Sequence, residues 1–282
     1  MRLKHYKTTF LQELSGLYDE LEIESFFYLT LESFHQKKRI DLALHPEMEM
    51  DALQLLRWES VLEALKKQKP IQYILGATEF YGLPMLVNEN VLIPRPETEE
   101  LVALILRNCD SNAELAILDI GTGSGCIPIA IKTNLSKATV TAIDVSEKAL
   151  VTAQNNAILN KVDVAFVLTD ILKTNDLGQK FDVIVSNPPY VRHLEKSELK
   201  MNVLGFEPHL ALFVADDDPL VFYRKIVELA TKNLNPNGRL FFEINQYLGA
   251  ETLRLFEGNG FNTIELHKDI YGNDRMISAI YS

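Results

Sequence analysis

The stretch Asp119-Ile-Gly-Thr-Gly-Ser-Gly125 decides the fold class, since it joins an apolar strand candidate, Ala116–Ile120, to the apolar residues Ile127–Ile131. Glycine has no Cβ, so three glycines after a strand let the backbone turn tightly and let a ligand approach the N-terminus of the next helix. Strand, glycine-rich turn and helix in this order are typical of nucleotide-binding α/β folds. We therefore predict a nucleotide site at this turn.

Two further aspartates stand at the ends of the next two strand candidates. Asp144 lies near the end of Val140–Val145, and Asp170 directly follows Val164–Thr169. Because the carboxyl ends of parallel strands meet at one edge of a sheet, we expect Asp119, Asp144 and Asp170 to lie along that edge. Doubly wound folds place a carboxylate near the position of Asp144 to accept hydrogen bonds from ribose hydroxyls, and Asp170 would contact the adenine edge.

The glycine pattern narrows the choice of ligand. The dinucleotide fingerprint G-x-G-x-x-G requires a third glycine where this chain has Cys126, which argues against a nicotinamide-dependent oxidoreductase. The sequence also lacks the phosphate-cradling motif G-x-x-x-x-G-K-S/T. A nucleoside whose tail needs no phosphate clamp fits best, and S-adenosylmethionine is such a ligand.

Strand and helix candidates alternate after residue 114. This alternation predicts βαβ units and a mostly parallel, doubly wound sheet that helices cover on both faces. The last two apolar runs, Thr263–Leu266 and Met276–Tyr281, follow one another without a helix between them, so we expect them to pair antiparallel at one edge. The remaining candidates are the strands Phe181–Ser186 and Arg239–Ile244 and the helices Glu147–Leu159 and Asp218–Asn233.

The N-terminal part of the chain has a different pattern. Apolar side chains recur at three- and four-residue steps up to Leu65, which predicts a small all-helical domain over residues 1–69. From the pattern alone, this domain is either an accessory bundle or a substrate-recognition module. Residues 70–100 are predicted to form a hairpin-rich linker, in which Thr98 or a nearby residue caps a helix. Residues 101–282 are expected to form the α/β domain that contains the predicted nucleotide site.

A second polar segment, Ser186-Asn187-Pro188-Pro189-Tyr190, ends the fourth strand candidate of this series. Prolines hold the backbone extended and have no N–H to donate. The Asn187 side-chain oxygen and the Pro188 carbonyl are therefore available as hydrogen-bond acceptors, and two acceptors suit a substrate that carries an NH2 group. Tyr190 would supply a flat face for a planar amide or a base. The sequence thus predicts a site for a planar nitrogen substrate.

Composition and charge exclude several classes of protein. The 282 residues are 47% hydrophobic, and 28 basic against 39 acidic side chains leave a net charge of −11, so neither a disordered chain nor a globally basic nucleic-acid binder fits. Cys109 and Cys126 are too few for a disulfide framework or a cysteine-rich zinc site, and we predict no metal. The first residues have no signal-peptide core, and no apolar run has the length of a membrane helix. We expect a cytoplasmic protein without membrane contact.

The glycine loop, the acidic Asp144 and Asn187-Pro-Pro-Tyr190 resemble the class I S-adenosylmethionine-dependent methyltransferases that modify planar nitrogens. Five further segments are similar to the HemK/PrmC family, in the order of that family: Gln72-Tyr-Ile-Leu-Gly76, Glu79-Phe-Tyr-Gly82, Val91-Leu-Ile-Pro-Arg-Pro-Glu-Thr-Glu99, Phe206-Glu-Pro208 and Asp269-Ile-Tyr-Gly-Asn-Asp-Arg275. The resemblance runs from about residue 70 to 282, and the helical N-terminus also fits it. The chain departs from the family at Asn245, where glycine is expected, and at Tyr271, where a smaller residue is commoner.

The resemblance implies methyl transfer to the side-chain nitrogen (N5) of the glutamine in the Gly-Gly-Gln motif of peptide chain release factors, with S-adenosylhomocysteine as the cofactor product. It implies that Asn187, Pro188 and Tyr190 are the catalytic residues, and that Pro189 joins them in binding the substrate. The domain over residues 1–69 would dock the release factor. The residues expected to bind the cofactor are Gly121, Thr122, Gly123, Ser124, Gly125, Asp144, Asp170, Ile171 and Asn187.

Several alternatives accompany this interpretation. Transfer of an activated methyl group needs an aligned nucleophile more than a strong base, so no His–Asp or Cys–His constellation is required. Arg95 and Glu97 either close over the site or only begin a helix. The competing function is a DNA or RNA adenine-N6 amino-methyltransferase, which lacks the support of a basic N-terminal module. A non-enzymatic binding protein conflicts with the intact Asn187-Pro-Pro-Tyr190 motif. We expect a monomer that contacts release factors and no nucleic acid directly.

Overall fold

The structure, a computed structural model, describes residues 1–282 and divides into two compact units. The first contains residues 1–76 and 201–206, and the second contains residues 77–200 and 207–282. None of the helices combines the length and the apolar character that crossing a membrane requires.

The helices are α1 (Leu3–Leu14), α2 (Glu20–His35), α3 (Arg39–Leu44), α4 (Ala52–Lys66), α5 (Ile71–Leu75), α6 (Pro96–Arg107), α7 (Cys126–Asn134), α8 (Glu147–Leu159), α9 (Met201–Phe206), α10 (His209–Leu212), α11 (Val221–Asn233) and α12 (Gly249–Arg254). The strands are β1 (Ala77–Phe80), β2 (Leu83–Leu86), β3 (Ala116–Ile120), β4 (Thr139–Asp144), β5 (Ala165–Leu168), β6 (Phe181–Ser186), β7 (Val191–Arg192), β8 (Phe213–Val214), β9 (Leu234–Glu243), β10 (Phe261–Lys268) and β11 (Asp274–Tyr281). Short 3₁₀ turns cover Ile171–Lys173 and His193–Glu198.

The first unit is helical and packs around the fully buried side chain of Trp58. The Phe27 ring lies 4.8 Å from the Trp58 ring between centroids, and the Trp58 indole N–H donates to His35 Nε2 at 2.9 Å. Helix α4 begins where the Asp51 carboxylate accepts a hydrogen bond from the Gln54 N–H at 2.7 Å, which satisfies one of the free N–H groups at the helix start. The amphipathic helices predicted from three- and four-residue steps are therefore present and share one core.

The predicted linker over residues 70–100 contains several short elements. Helix α5 is followed by the β1–β2 hairpin, and α6 begins at Pro96. The cap position of α6 falls on Arg95 rather than on Thr98, because proline has no N–H to satisfy and its φ suits the first helical position. Thr98 is therefore inside the helix, and its hydroxyl can bind a partner outside it. The functional division of the chain at residues 69 and 100 stays a prediction.

The second unit is built on a seven-stranded sheet with the order β10-β11-β9-β6-β3-β4-β5. The five strands from β9 to β5 are parallel, and β11 pairs antiparallel with both β9 and β10. The mostly parallel, doubly wound sheet and the antiparallel edge are thus confirmed. After β5 the chain returns to the other side of β3, so the strand order reverses between β3 and β6. Open α/β sheets bind their ligands outside the carboxyl ends of the strands at such a point.

Successive side chains of the central strands face opposite sides of the sheet, as the period of two requires. Val183 and Phe241 lie in a core cluster with residues of α6 and α7, whereas Ile184 and Phe242 lie in a second cluster with residues of α11. Glu243, two positions after Phe241, therefore belongs to the face that α6 covers. This alternation brings the start of α6 and the end of β9 together.

Strand β9 is longer than the sequence predicted. The strand candidate begins at Arg239, whereas the strand begins at Leu234 and contains Pro236 and Gly238. The pairing of β9 with β6 contains a register shift, which takes up these residues without ending the strand. An irregularity of this kind depends on the neighbouring strand and leaves no period in the sequence of β9 itself.

Candidate active site

A cavity of about 260 Å³ lies at the carboxyl ends of β3, β4 and β6, where the strand order reverses. It is lined by most of the residues that the sequence assigned to the two predicted sites: Gly121, Thr122, Gly123, Ser124, Asp144, Asp170, Ile171, Asn187, Pro188 and Pro189. Gly125, Tyr190 and Asp119 do not line it. The glycine loop and the Asn187 segment therefore border the same space.

The loop after β3 has a backbone conformation that glycine adopts without strain. Gly121, Gly123 and Gly125 have positive φ angles of 76°, 53° and 80°. A Cβ at either of the first two positions would meet no atom within 4 Å, whereas a Cβ at Gly125 would lie 3.0 Å from the Ala153 Cβ on α8. The first two glycines thus leave the backbone open to a ligand, and the third allows close packing against α8.

The Asp144 carboxylate at the end of β4 holds this loop. Its Oδ2 accepts a hydrogen bond from the Gly123 N–H and its Oδ1 accepts one from the Ser146 N–H, both at 2.8 Å. Burial raises the pKa of Asp144, and these backbone N–H groups oppose the shift. A carboxylate has about four acceptor sites, so the oxygens keep capacity for hydroxyl groups in the cavity.

Asp170 follows β5 and is more exposed than Asp144. Its carboxylate accepts a hydrogen bond from the Leu172 N–H at 3.1 Å and forms an ion pair with Lys173 at 2.9 Å. The Lys173 ammonium group lowers the pKa of Asp170, so the side chain is ionised. Ile171 is buried beside it and contributes an apolar wall to the cavity. The predicted adenine contact of these two residues stays a prediction.

Asp119 differs from the other two aspartates because it is completely buried in β3. Neither of its carboxylate oxygens makes a well-formed hydrogen bond, and the buried Thr122 hydroxyl also lacks one. Burial raises the pKa of Asp119 to about 7; the nearby Thr122 opposes this shift, and the charge of Asp144 adds to it. Buried polar groups are nearly always satisfied in native proteins, so Asp119 and Thr122 form an unusual polar pair at the glycine loop, of which only Thr122 lines the cavity.

The Asn187 side chain is held by a helix that is distant in the sequence. Its Nδ2 donates a hydrogen bond to Thr98 Oγ1 on α6 at 3.2 Å. The preceding Ser186 donates through its hydroxyl to the Ile120 carbonyl at 2.7 Å, which fastens the end of β6 to β3. Because the NH2 group of Asn187 is engaged, its Oδ1 remains as the acceptor that this cavity-lining residue offers to a ligand.

Glu243 lies behind this asparagine and is not among the site residues predicted from the sequence. Its Oε2 accepts the Thr98 hydroxyl at 2.6 Å, and its Oε1 accepts the Tyr190 hydroxyl at 3.0 Å. Burial raises the pKa of Glu243, whereas the two hydroxyls and the charge of Arg275 oppose the shift. A signal was present in the sequence, because Glu243 is a charged residue that follows the apolar run Leu240-Phe241-Phe242 near the end of a strand candidate.

Tyr190 is placed differently from a residue that offers its face to a ligand. Its hydroxyl is bound to Glu243, and its ring packs against the core cluster that contains Tyr223 and Phe242. Burial and the neighbouring Glu243 carboxylate raise the pKa of Tyr190, so the hydroxyl keeps its proton and remains a donor. Its role as a flat face for the substrate stays a prediction.

Arg95 and Glu97 differ in their position relative to the cavity. Arg95 lines the cavity and forms an ion pair with Glu207, and the other oxygen of that buried carboxylate accepts the Ile93 N–H at 3.2 Å. Glu97 lies in the first turn of α6 and does not line the cavity. Apolar side chains outside the predicted site, among them Phe222 of α11, complete the wall of the cavity.

Two family models match the chain. Residues 98–204 match the Methyltransferase small domain, and residues 9–76 match the PrmC N-terminal domain. The first match contains the glycine loop, Asp144 and Asn187, and the second lies within the helical unit.

Two relatives are similar over almost the whole chain. A release factor glutamine methyltransferase of Flavobacterium psychrophilum is 63% identical over 282 residues, which cover 99% of each chain. A release factor glutamine methyltransferase of Bacteroides thetaiotaomicron is 42% identical over 270 residues, which cover 95% of this chain and 96% of that one.

A solved structure supports the fold. The 16S rRNA N2 G1207 methyltransferase of T. thermophilus, in complex with AdoMet and guanosine, has a TM-score of 0.53 and 17% identity over 73% of this chain and 50% of that chain. The class I S-adenosylmethionine-dependent methyltransferase fold predicted from the sequence is thus confirmed. With the identity across its full length, the chain belongs to the HemK/PrmC family of release factor glutamine methyltransferases.

Proposed function

We propose that this chain transfers a methyl group from S-adenosylmethionine to the N5 side-chain nitrogen of the glutamine in the Gly-Gly-Gln motif of peptide chain release factors. The observation that carries the proposal is the orientation of Asn187 beside the glycine loop. Its NH2 group is bound to Thr98, which leaves Oδ1 as an acceptor at the cavity. A glutamine side chain ends in an NH2 group, which needs such acceptors. Both relatives described above are named for this reaction.

The residues around the glycine loop fit the cofactor. The open backbone at Gly121 and Gly123 would admit its methionine part, Asp144 would accept its ribose hydroxyls, and Asp170 would border its adenine. When bound, S-adenosylmethionine supplies a methyl group that its sulfonium centre has already activated.

The protein then has to hold and polarise a weak nucleophile. A carboxamide nitrogen is unreactive because its lone pair is delocalised into the carbonyl group. Asn187 Oδ1 and the Pro188 carbonyl would accept the two N–H groups of the glutamine and so orient the nitrogen. As the new N–C bond forms and the bond between the sulfonium sulfur and the methyl carbon breaks, the positive charge would pass from sulfur to nitrogen. The two acceptors would stabilise this charge more strongly than they stabilise the neutral amide. The alkylated nitrogen then releases a proton to solvent, so no strong base is required.

The proposal includes the partner and the setting of the reaction. The helical domain over residues 1–69 docks the release factor, the enzyme acts as a monomer, and it acts in the cytoplasm, where translation terminates. The net charge of −11 supports a protein rather than a nucleic acid as the direct partner. An adenine-N6 amino-methyltransferase would use the same acceptors, so nucleic acid is included in the test.

The test is transfer of a labelled methyl group from S-adenosylmethionine to three acceptors in parallel. These are a release factor, the same factor with the glutamine of its Gly-Gly-Gln motif changed to alanine, and unmethylated duplex DNA. We expect label on the intact factor only. Label on the alanine variant would place the reaction at another residue, and label on DNA would replace the proposal by the competing function.

A further inference from the structure

We propose that Thr98 and Glu243 are positioning residues, which determine which end of the Asn187 side-chain amide faces the substrate. The inference rests on the proposed function in one respect: the substrate has an NH2 group that donates a hydrogen bond to Asn187 Oδ1. An asparagine amide is nearly symmetric in shape, but its oxygen accepts hydrogen bonds and its nitrogen donates them. A site for a substrate NH2 group must therefore contain the asparagine and must also prevent its side chain from flipping, which would exchange the positions of Oδ1 and Nδ2.

The order of donors and acceptors begins at Glu243. Both oxygens of its carboxyl group accept hydroxyls: Oε2 receives the Thr98 hydroxyl at 2.6 Å, and Oε1 receives the Tyr190 hydroxyl at 3.0 Å. A hydroxyl has a single proton, so Thr98 has none left for a second partner. Toward Asn187, whose side-chain nitrogen lies 3.2 Å from Thr98 Oγ1, it can only accept. The Asn187 atom that faces Thr98 must therefore be the NH2 nitrogen, and Oδ1 takes the opposite direction.

Burial makes this constraint effective. Thr98 is 3% exposed and Glu243 is 1% exposed, so no bulk water competes for their hydrogen bonds. A flipped Asn187 would turn Oδ1 toward the lone pairs of Thr98 Oγ1, and two acceptors would face each other without a proton. An unsatisfied pair of this kind is strongly disfavoured in a buried setting, where hydrogen bonds are electrostatically stronger than in water.

Glu243, the last residue in this series of hydrogen bonds, is also held in place. The second carboxylate oxygen of Glu243 receives the Tyr190 hydroxyl at 3.0 Å, and the Glu243 carbonyl receives the Tyr223 hydroxyl at 3.0 Å. Asn245 donates through Nδ2 to the Tyr190 carbonyl at 2.9 Å. Rotation of the Glu243 side chain away from Thr98 would therefore also break its bond to Tyr190, while Tyr223 holds the backbone of the same residue.

The fold explains why these residues meet. Strands β6 and β9 are parallel neighbours with Ser186 opposite Phe242, so Asn187 and Glu243 follow each other at the ends of adjacent strands. Thr98 lies on the buried face of α6, which covers the same side of the sheet. The arrangement thus follows from strand register and helix period together.

The first experiment compares substitutions of Thr98 in the full-length enzyme. Thr98→Val keeps the shape and removes the hydroxyl, whereas Thr98→Ser keeps the hydroxyl. The matched control is Thr252→Val on α12, which removes an equally buried hydroxyl that is bonded to the Leu248 carbonyl. We expect Thr98→Val to lower kcat by about 10- to 100-fold, while KM for the release factor and Kd for S-adenosylmethionine change by less than about threefold.

The serine variant and the control are expected to retain kcat within about threefold of wild type. Unchanged kcat in Thr98→Val would overturn the inference. A parallel loss of cofactor affinity would also overturn it, since that result indicates a general disturbance of the site.

A second variant, Glu243→Gln, tests the direction of the hydrogen bonds. The glutamine NH2 group can donate to Thr98, which releases the Thr98 proton toward Asn187 and permits the flipped amide. We expect kcat to fall at least as much as in Thr98→Val. Retention of kcat would mean that Glu243 only fills space, and the inference would be wrong.

A third readout does not depend on turnover. In ¹⁵N-labelled protein without cofactor, the Asn187 side-chain NH2 signal is assigned by its loss in Asn187→Ala. We expect this NH2 group to exchange with water at least about tenfold more slowly than an exposed asparagine in wild type and Thr98→Ser, and to lose this protection in Thr98→Val. Fast exchange in wild type would contradict the inference. If wild type methylated none of the acceptors, the proposed function would fail, and this measurement alone would decide how Asn187 is held.

Discussion

The cofactor loop, Gly121–Gly125, and the acceptor site around Asn187 border the same cavity but are constructed in different ways. The loop is a contiguous piece of backbone whose positive φ angles suit glycine. The acceptor site is assembled from side chains of three elements, and the bond between Thr98 and Glu243 joins residues that are 145 positions apart. The difference suggests that changes in the loop act on cofactor affinity, whereas changes in the acceptor site act on turnover.

The largest expected effect, and the strongest test of this division, is Asn187→Ala. The substitution removes an acceptor for the charge that develops on the substrate nitrogen, so we expect kcat to fall by about 10²- to 10³-fold. The cofactor Kd, measured by calorimetry, should stay within a few-fold of wild type. A collapse of cofactor affinity with turnover preserved at saturation would break the division.

The next effect is expected from Gly125→Ala. Its φ of 80° disfavours any side chain, and a Cβ would also lie 3.2 Å from the Ala153 Cα. We expect the loop to shift and the affinity for S-adenosylmethionine to fall about tenfold or more, since strain and overlap together cost roughly 2–4 kcal/mol.

The matched control is Gly178→Ala, at a glycine with a φ of 75° and no atom near its Cβ. This variant carries the same backbone strain without the overlap, so it should lower the melting temperature slightly and leave the cofactor Kd unchanged. Equal affinity losses in the two variants would show that overlap with α8 has no part in cofactor binding.

Asp144→Asn tests the same division between cofactor affinity and turnover, with a smaller expected effect. The amide retains one acceptor oxygen in place of two, so it can no longer bind the Gly123 and Ser146 N–H groups together as the carboxylate does. We expect the cofactor Kd to rise about tenfold, while kcat at saturating cofactor stays within about threefold of wild type. Steady-state kinetics with varied S-adenosylmethionine separates the two quantities, and a fall confined to kcat would oppose the assignment.

The smallest effect is expected from Asp119→Asn, which should change how the stability of the fold depends on pH. The pKa of Asp119 is about 7 in the fold, against an ordinary 3.8, because burial disfavours the charge. Between these pH values the folded state holds a proton that the unfolded state releases, so this residue lowers stability as pH rises and does so fully above about 7.

The variant should therefore melt roughly 3 °C or more above wild type at about pH 8, and at nearly the same temperature at about pH 4. Thermal unfolding without cofactor measures both. A difference between the two proteins that does not change with pH would contradict the assignment of a buried, titrating carboxyl group.

The contiguous parts of the molecule were predictable from the sequence. The strand Ala116–Ile120, the glycine turn and the aspartate that ends β4 follow from local composition and from the rule that parallel strands end at one edge. The antiparallel pairing of the last two strands was also predicted, because no helix separates them. In each case a short stretch of sequence carries the physical cause.

The remaining features depend on distant contacts. The cap of α6 falls on Arg95 because Pro96 suits the first helical position, and Thr98 inside the helix is then free to bond Glu243 on the face of the sheet that α6 covers. The ring of Tyr190 packs in the core because its hydroxyl donates a hydrogen bond to the buried Glu243 carboxylate. The register of β9 against β6 places that carboxylate close to Tyr190. Neither contact has a local period, so composition and spacing could not indicate it.

The order of the strands along the chain also determines when each half of the cavity can form during synthesis. β3, β4 and β5 are consecutive neighbours, so the glycine loop and Asp144 belong to a local unit that can fold early. β6 must return past β4 and β5 to reach β3, and β9 must follow before Glu243 is in place. Long-range pairing is slow, because loop closure loses entropy before contacts compensate for it. We therefore expect a nascent chain to form the glycine loop and Asp144 first, and to gain activity only when β6 and β9 have completed the sheet.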